Sequence, residues 1–325
     1  MPRQWMDDGR GTDSRTDGVT THDERALVLA VDHDHDHVRN AKHVVFRTSP
    51  CRSAPTTEQE DAVAAMSRPT GLIASKGIEL LTWGTPNGYK ASILLEELKE
   101  AYGLQYTAQG INIGQNVQKE PWFTAVNPNG RIPAIVDHDN GGLAVFEGNA
   151  ILGYLARRYD TERRFSFAVD DDNYTRAESW IGWQHGGLGQ ANHFVRFSKE
   201  KIPYPIQRYV GETERLYGIL DARLQDRDYI VGPGKGKYSI ADIALLGWVN
   251  GLNFTTISID QFPSVKSWLA RCWERPAVQR GFTVPNPPSV SSLKPQEGEA
   301  AEKTRELKEI VDKAKEQYGY KYASP

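Results

Sequence analysis

The sequence predicts two folded units in series, an α/β domain followed by an all-helical domain. Three observations carry this prediction. Short apolar runs at Ile78 to Trp83 and Ile132 to Val136 are bounded by turn residues and read as buried strands. Between and after them, apolar residues recur at helical spacing. From Tyr174 onward the periodicity is helical throughout. A chain of 325 residues accommodates such a pair with tails at both ends.

Taken in order, residues 1 to 75 carry charges of mixed sign, few aromatics and no sustained periodicity, and are expected to be a disordered extension. Within them His33, His35 and His37 alternate with Asp34 and Asp36. Without a folded frame to fix ligand geometry, the preferred reading is a solvated polar tract, and no metal site is expected. A first strand, Ile78 to Trp83, leads into a helix from Pro86 to Tyr102, on which Ile93, Leu94, Leu95, Leu98 and Tyr102 fall at helical spacing. Gln105 to Ile111 is a second strand, Ile132 to Val136 a third and Leu143 to Phe146 a fourth; a helix from Asn149 to Tyr159 closes the unit. Strand, helix, strand, then two strands and a helix is the thioredoxin-like order, here spanning 76 to 160.

Asp160 to Asp172 reads as a linker, and 172 to 286 as the helical domain. Trp180, Trp183, Leu188 and Phe194 mark its first long helix, and Ile206 to Leu224 the next. Ser239 and Asp242 have the spacing of a capping box, with Tyr238 and Ile243 as its hydrophobic staple, which is a folding device rather than chemistry. Gly232 to Lys237 resembles a phosphate loop only superficially: the first glycine is misplaced, and Tyr238 stands where Ser or Thr is needed. Residues 287 to 325 form a polar tail in which Glu302 to Tyr318 has helical periodicity, with Leu307, Ile310 and Val311 on one face.

A net charge of -3 gives no sign of a nucleic-acid surface. No apolar run approaches the ~18 residues of a membrane span, and the N-terminus lacks a secretory apolar core. Cys51 and Cys272 are the only cysteines, and they form no Cys-x-x-Cys pair. A reducing, cytoplasmic setting is expected.

The stretch from Ala125 to Asp137 organises the chain: an Asn127-Pro128-Asn129-Gly130 turn, Arg131, then Ile132-Pro133 and a buried strand. Proline cannot donate to a strand ladder, so Pro133 suits a strand's first residue or a tight turn. If the Ile132-Pro133 bond is cis, the backbone groups of Ile132 turn outward and can pair with an extended peptide. Upstream, Thr85-Pro86-Asn87-Gly88 opens the first helix; downstream, Glu147-Gly148 opens the last helix of the unit.

In this order, from about Gly77 to Val284, the three pieces resemble the glutathione transferase superfamily. The Thr-Pro-Asn-Gly turn is similar to that of the branch holding the nu-class disulfide-bond oxidoreductases and a prion-forming nitrogen regulator. The resemblance implies a glutathione site. Glu147, with the backbone N–H groups of Gly148 and Asn149, would hold the γ-glutamyl end, with the helix N-terminus favouring its carboxylate. Relatives usually carry Ser where this chain has Gly148. Ile132, before Pro133, would pair with the cysteinyl backbone, while Arg131 and Gln118 would meet the glycine carboxylate. The single-residue alternatives are a surface cation at Arg131 and a charged helix start at Glu147. Past Gly189, relatives read a further helical turn that this chain lacks, which shortens a wall of the second-substrate pocket; His185, His193 and Arg196 are candidates to face it.

No cysteine stands in the turn, so the thiol must come from glutathione itself. An ordinary thiol has a pKa of ~8.5, and lowering it two units takes ~2.7 kcal/mol. A hydrogen bond to a charged sulfur contributes ~1.5–3 kcal/mol and a helix N-terminus ~0.3–1 kcal/mol. Two donors at the start of the first helix therefore suffice, and Thr85 and Asn87 are the expected catalytic pair, with Thr85 also a plain N-cap. Trp83 falls where tyrosine-type transferases carry their tyrosine, and Tyr89 is expected to pack. The implied protein is a cytoplasmic, homodimeric enzyme that uses glutathione as co-substrate, without a metal, for conjugation or disulfide reduction. The alternative is a non-catalytic regulator of the same fold that binds a transcription factor.

Overall fold

A computed structural model describes residues 68–191, 202–286, 293 and 298–318. These all lie within one compact unit, Glu58–Pro325. Expectations for 1–67, including the histidine tract and Cys51, fall outside the described residues, as do those for Phe194, His193 and Arg196.

The first domain runs β1 (Ile78–Thr82), α1 (Pro86–Tyr102), β2 (Tyr106–Gly110), α2 (Pro121–Val126), β3 (Ala134–Asp137), β4 (Leu143–Phe146) and α3 (Gly148–Tyr159). Its sheet has the order β2-β1-β3-β4. β1 pairs parallel with β2 and antiparallel with β3, which pairs antiparallel with β4. This is the thioredoxin-like arrangement. β1 and β3 are buried along their whole length, as their continuous apolar runs require. The third strand begins at Ala134 rather than Ile132, because Pro133 offers no N–H to the ladder. The short helix α2 was not legible in the sequence; Pro121 at its first position starts it.

α1 explains the closeness of the two domains. Thr85 caps it by accepting from Gly88 N–H at 3.1 Å. A Cβ at Gly88 would lie 2.1 Å from the Trp83 carbonyl oxygen, so only glycine allows the helix to spring so tightly from β1. Every residue from Gly88 to Leu98 is buried, polar ones included. The sheet and α3 cover one side, and the helical domain covers the other.

The second domain comprises α4 (Asp172–Trp183), a π-turn at Gln184–Leu188, α5 (Pro203–Leu224), α6 (Ile240–Asn250), α7 (Pro263–Trp273) and α8 (Pro276–Gly281). α6 is buried throughout. Its capping box is formed as expected: Ser239 and Asp242 bond reciprocally, and Tyr238 and Ile243 are buried. Asp242 also accepts from the Ile230 N–H and from Trp268 Nε1, and burial pushes its carboxyl up to about 6.

Two expectations about the tails need correction. The extension was expected to be disordered through residue 75, but 68–75 are tied to the domain. The N–H groups of Ile73 and Ala74 donate to the buried Glu79 carboxylate, both at 2.9 Å, and Arg68 pairs with Glu120. In the polar tail, a helix is expected over Glu302 to Tyr318, and the sequence does not say what it packs on. That helix, α9 (Gly298–Tyr318), starts four residues earlier than expected and packs on α5 through buried Leu307, Val311 and Ala314.

Candidate functional site

The start of α1, the 127–133 loop and the start of α3 converge on a cavity of about 430 Å³, within the ~300–1,000 Å³ usual for small-molecule sites. Its wall includes Asn87, Arg131, Ile132, Pro133, Glu147 and Gly148 from the first domain. The second domain adds Gln184, His185, Gly189, Gln190 and Trp248. A larger groove, about 510 Å³, lies between α3 and α4; of the residues expected at the site from the sequence, Asn149 alone lines it.

The loop's shape is written in its own side chains. Asn127 Nδ2 donates to the Arg131 carbonyl at 2.6 Å, and Asn127 Oδ1 accepts from the Asn129 N–H at 2.9 Å. The Ile132–Pro133 bond is cis. Arg131 is exposed and has no carboxylate within ion-pair distance among the described residues. Across the cavity mouth, Asn129 Nδ2 donates to Glu147 Oε1 at 3.3 Å. Glu147 itself has φ 70° and ψ 123°, a region that L-residues rarely occupy. Such a residue costs about 1–3 kcal/mol and persists where the surroundings impose it, commonly at functional sites.

Asn87 is oriented from the second domain. A Cβ at Gly247 would lie 2.3 Å from the Pro86 carbonyl oxygen, so glycine lets α6 approach the start of α1 directly. Trp248, the next residue, then donates from Nε1 to Asn87 Oδ1 at 3.2 Å. An indole nitrogen only donates, so the Asn87 oxygen must face it, and the amide nitrogen is left to donate elsewhere.

Lys90 lies one turn further along α1. Its ammonium is buried and donates to Gln184 Oε1, the first residue of the π-turn, at 2.6 Å. Burial drives its pKa down to about 7, against the opposing pull of Glu147.

Thr85 and Gln118 are not brought into this wall. The Thr85 oxygen is engaged at the helix cap, and Gln118 Oε1 is buried beside the loop with no partner. Tyr89 packs, as expected, with its ring 4.8 Å from that of Phe282. Cys272 is fully buried and burial pushes its thiol well above the usual range, so it does not supply a thiolate. Lys90, Gln184, Gln190 and Trp248 line the wall without a local signal in the sequence that singles them out. Only position was available: Asn87 and Lys90 are three residues apart and share a helix face.

Comparison with known proteins agrees with this geometry. Residues 76–157 match the model of the glutathione S-transferase N-terminal domain, and 199–276 that of the C-terminal domain. The disulfide-bond oxidoreductase YfcG of Escherichia coli is 39% identical over 211 residues, which cover 62% of this chain and 92% of that protein. Glutathione S-transferase 1 of Schizosaccharomyces pombe is 35% identical over 215 residues, 61% of this chain and 91% of that one. Among solved structures, a glutathione transferase homolog from Lodderomyces elongisporus, with two GSH per subunit, superposes with a TM-score of 0.60 at 42% identity. It matches 65% of this chain and 99% of its own. Ure2p in complex with glutathione gives 0.58 at 31% identity, matching 65% of this chain and 96% of its own. The fold, the matched domains and these relatives place the chain in the glutathione S-transferase superfamily.

Proposed function

We propose that the protein binds glutathione in the 430 Å³ cavity and uses it as an activated thiolate. The observation that carries this reading is the Trp248–Asn87 bond, which occupies the Asn87 oxygen and leaves its amide N–H₂ to donate to a cysteinyl sulfur held beside Ile132 and Pro133. Glu147 and the N-terminus of α3 would take the γ-glutamyl end, with Glu147 facing the ammonium and the free N–H groups facing the carboxylate. Arg131 would hold the glycine carboxylate at the mouth; Gln118, outside the wall, would reach that end only if its side chain turned toward it. Thr85 would add a second donor to sulfur, since its oxygen accepts from Gly88 while its hydrogen is free to point outward.

With the thiolate formed, two reactions are open. On a disulfide, the sulfur attacks one partner sulfur, the S–S bond breaks and a thiolate leaves. A second glutathione then releases the mixed disulfide as glutathione disulfide. On an electrophile, the same sulfur forms a C–S bond and expels the leaving group. The relatives' names support both: a disulfide-bond oxidoreductase and a glutathione S-transferase. A solved relative holding two GSH per subunit supports room for two glutathione units. Assay of purified protein with glutathione against an aryl halide and a small disulfide tests the reading; no turnover of either, with no glutathione binding, would overturn it.

A second reading has its own support. The nitrogen regulation fragment of the yeast prion protein Ure2p superposes with a TM-score of 0.59 at 30% identity. A regulator of this fold would bind glutathione without turnover and would bind a transcription factor. We favour the enzyme because Asn87, Arg131 and Glu147 are all retained around one cavity. A homodimer in the cytoplasm completes the proposal.

A further inference from the structure

The Lys90 ammonium is 1% exposed, yet the described residues offer it a single hydrogen-bond acceptor, the neutral Gln184 Oε1 at 2.6 Å. No carboxylate lies within 4 Å of it among those residues. An ammonium has three donors, and a buried charge left without a counter-ion is costly. The remaining donors border the cavity, whose wall includes Lys90. Gly148 borders the ammonium: a Cβ there would sit 3.8 Å from Lys90 Nζ and 3.4 Å from Cδ. The ammonium thus lies close to the first residue of α3, a helix start whose first N–H groups have no intrahelical partner. Two sources of positive potential, a helix N-terminus and a buried cation, lie beside the same cavity wall.

We propose that Lys90 is the buried counter-ion of the ligand's γ-glutamyl carboxylate, so that binding is coupled to uptake of a proton by Lys90. The inference rests on the glutathione reading above. In the empty site burial favours the neutral amine, and the Lys90 pKa is about 7. A carboxylate alongside favours the ammonium and moves that value up. Above about pH 7 the free protein holds Lys90 mostly neutral, and the complex, with its value moved up, holds more of it charged. Binding in that window takes up protons; below pH 7 Lys90 is already charged and takes up none. The other ionisable groups of this wall are Glu147, Arg131 and His185. Glu147 is the one whose charge acts on Lys90, and it favours the ammonium. From the helices packed on α1, Arg280 on α8 is engaged with Glu96 and Glu100, and Arg275, just before α8, with Glu97.

The test is calorimetric titration with S-methylglutathione, whose blocked sulfur cannot release a proton. It is run at pH 8 and at pH 6 in buffers of different ionisation heat, on the wild-type protein and on Lys90→Met. The ligand's own ammonium beside Glu147 contributes alike to both proteins, so their difference reports Lys90. Wild type should take up a substantial fraction of one proton more than Lys90→Met at pH 8, and the two should agree at pH 6. Lys90→Met should bind at least about tenfold more weakly at pH 6, as for loss of a charge-assisted bond. Gly148→Ser, placed on the Lys90→Met background, should recover part of that loss by supplying a hydroxyl donor at the same helix start. Should Lys90→Met fail to fold, Lys90→Gln takes its place. Equal proton uptake in wild type and variant at pH 8, or none in wild type, overturns the inference while leaving glutathione binding intact. No binding of S-methylglutathione or glutathione to the wild type overturns the inference together with the function it rests on.

Discussion

Replacing Trp248 with Phe probes the most specific feature of the site, the bond that crosses between domains to orient Asn87. Phenylalanine keeps an aromatic ring beside the start of α1, in a residue only 6% exposed, and removes the Nε1–H that donates to Asn87 Oδ1 at 3.2 Å. The lost bond is neutral and worth about 0.5–1.5 kcal/mol. If it acts only by aiming the Asn87 amide at sulfur, kcat/KM for glutathione should fall roughly 2- to 12-fold. Asn87→Ala removes the bond to the charged sulfur itself, worth about 1.5–3 kcal/mol, and should cost roughly 10- to 150-fold. The decisive assay is the double-mutant cycle, with kcat/KM measured for an aryl halide and for a small disulfide in all four proteins. On the Asn87→Ala background, Trp248→Phe should change nothing further, because no amide remains to be aimed. Bound-thiolate absorbance against pH should show the same non-additivity. Fully additive losses would refute the reasoning and make Trp248 a wall residue acting independently of Asn87.

The other contacts give separable expectations. Arg131→Ala should raise KM for glutathione about tenfold and leave kcat nearly unchanged, since a remote carboxylate contact binds substrate and transition state alike; the low end of a charge-assisted bond applies because Arg131 is exposed. An unchanged glutathione affinity would remove Arg131 from the site. Glu147→Gly should stabilise the fold by up to about 1 kcal/mol, because glycine adopts φ 70° without a Cβ penalty, while glutathione affinity drops with the lost carboxylate. A fall in the melting temperature would show that Glu147 stabilises the fold there rather than straining it.

Much of this molecule was legible in its sequence because the relevant signals are local. Turn residues and apolar runs placed the four strands, and the capping box at Ser239 and Asp242 placed α6 without any tertiary information. Asn87, Ile132 and Glu147 could be found because each sits at a turn or helix start with its own local chemistry. What escaped depends on docking between domains. Lys90 on α1 reads as one polar residue among Ser92, Glu96 and Glu97, and in an isolated helix it would be solvated. It is buried because α6 and the π-turn close over a helix that the sheet already covers, and its partner Gln184 is 94 residues away. Trp248 is 161 residues from Asn87 and looks like an ordinary core aromatic. α9 escaped for the opposite reason: its apolar stripe was visible, but nothing in the sequence pointed to α5 as the surface that buries it.

The central claim is that glutathione, held by Asn87, is the attacking thiol and no protein cysteine takes part. One measurement tests it directly: disulfide reduction by the Cys51→Ser, Cys272→Ser double variant, run beside Asn87→Ala. Cys272 is fully buried with its thiol pushed up. The account predicts wild-type turnover from the cysteine-free protein and a loss of roughly 10-fold or more in Asn87→Ala. A dead cysteine-free protein alongside a fully active Asn87→Ala would contradict it and assign the chemistry to a protein thiol.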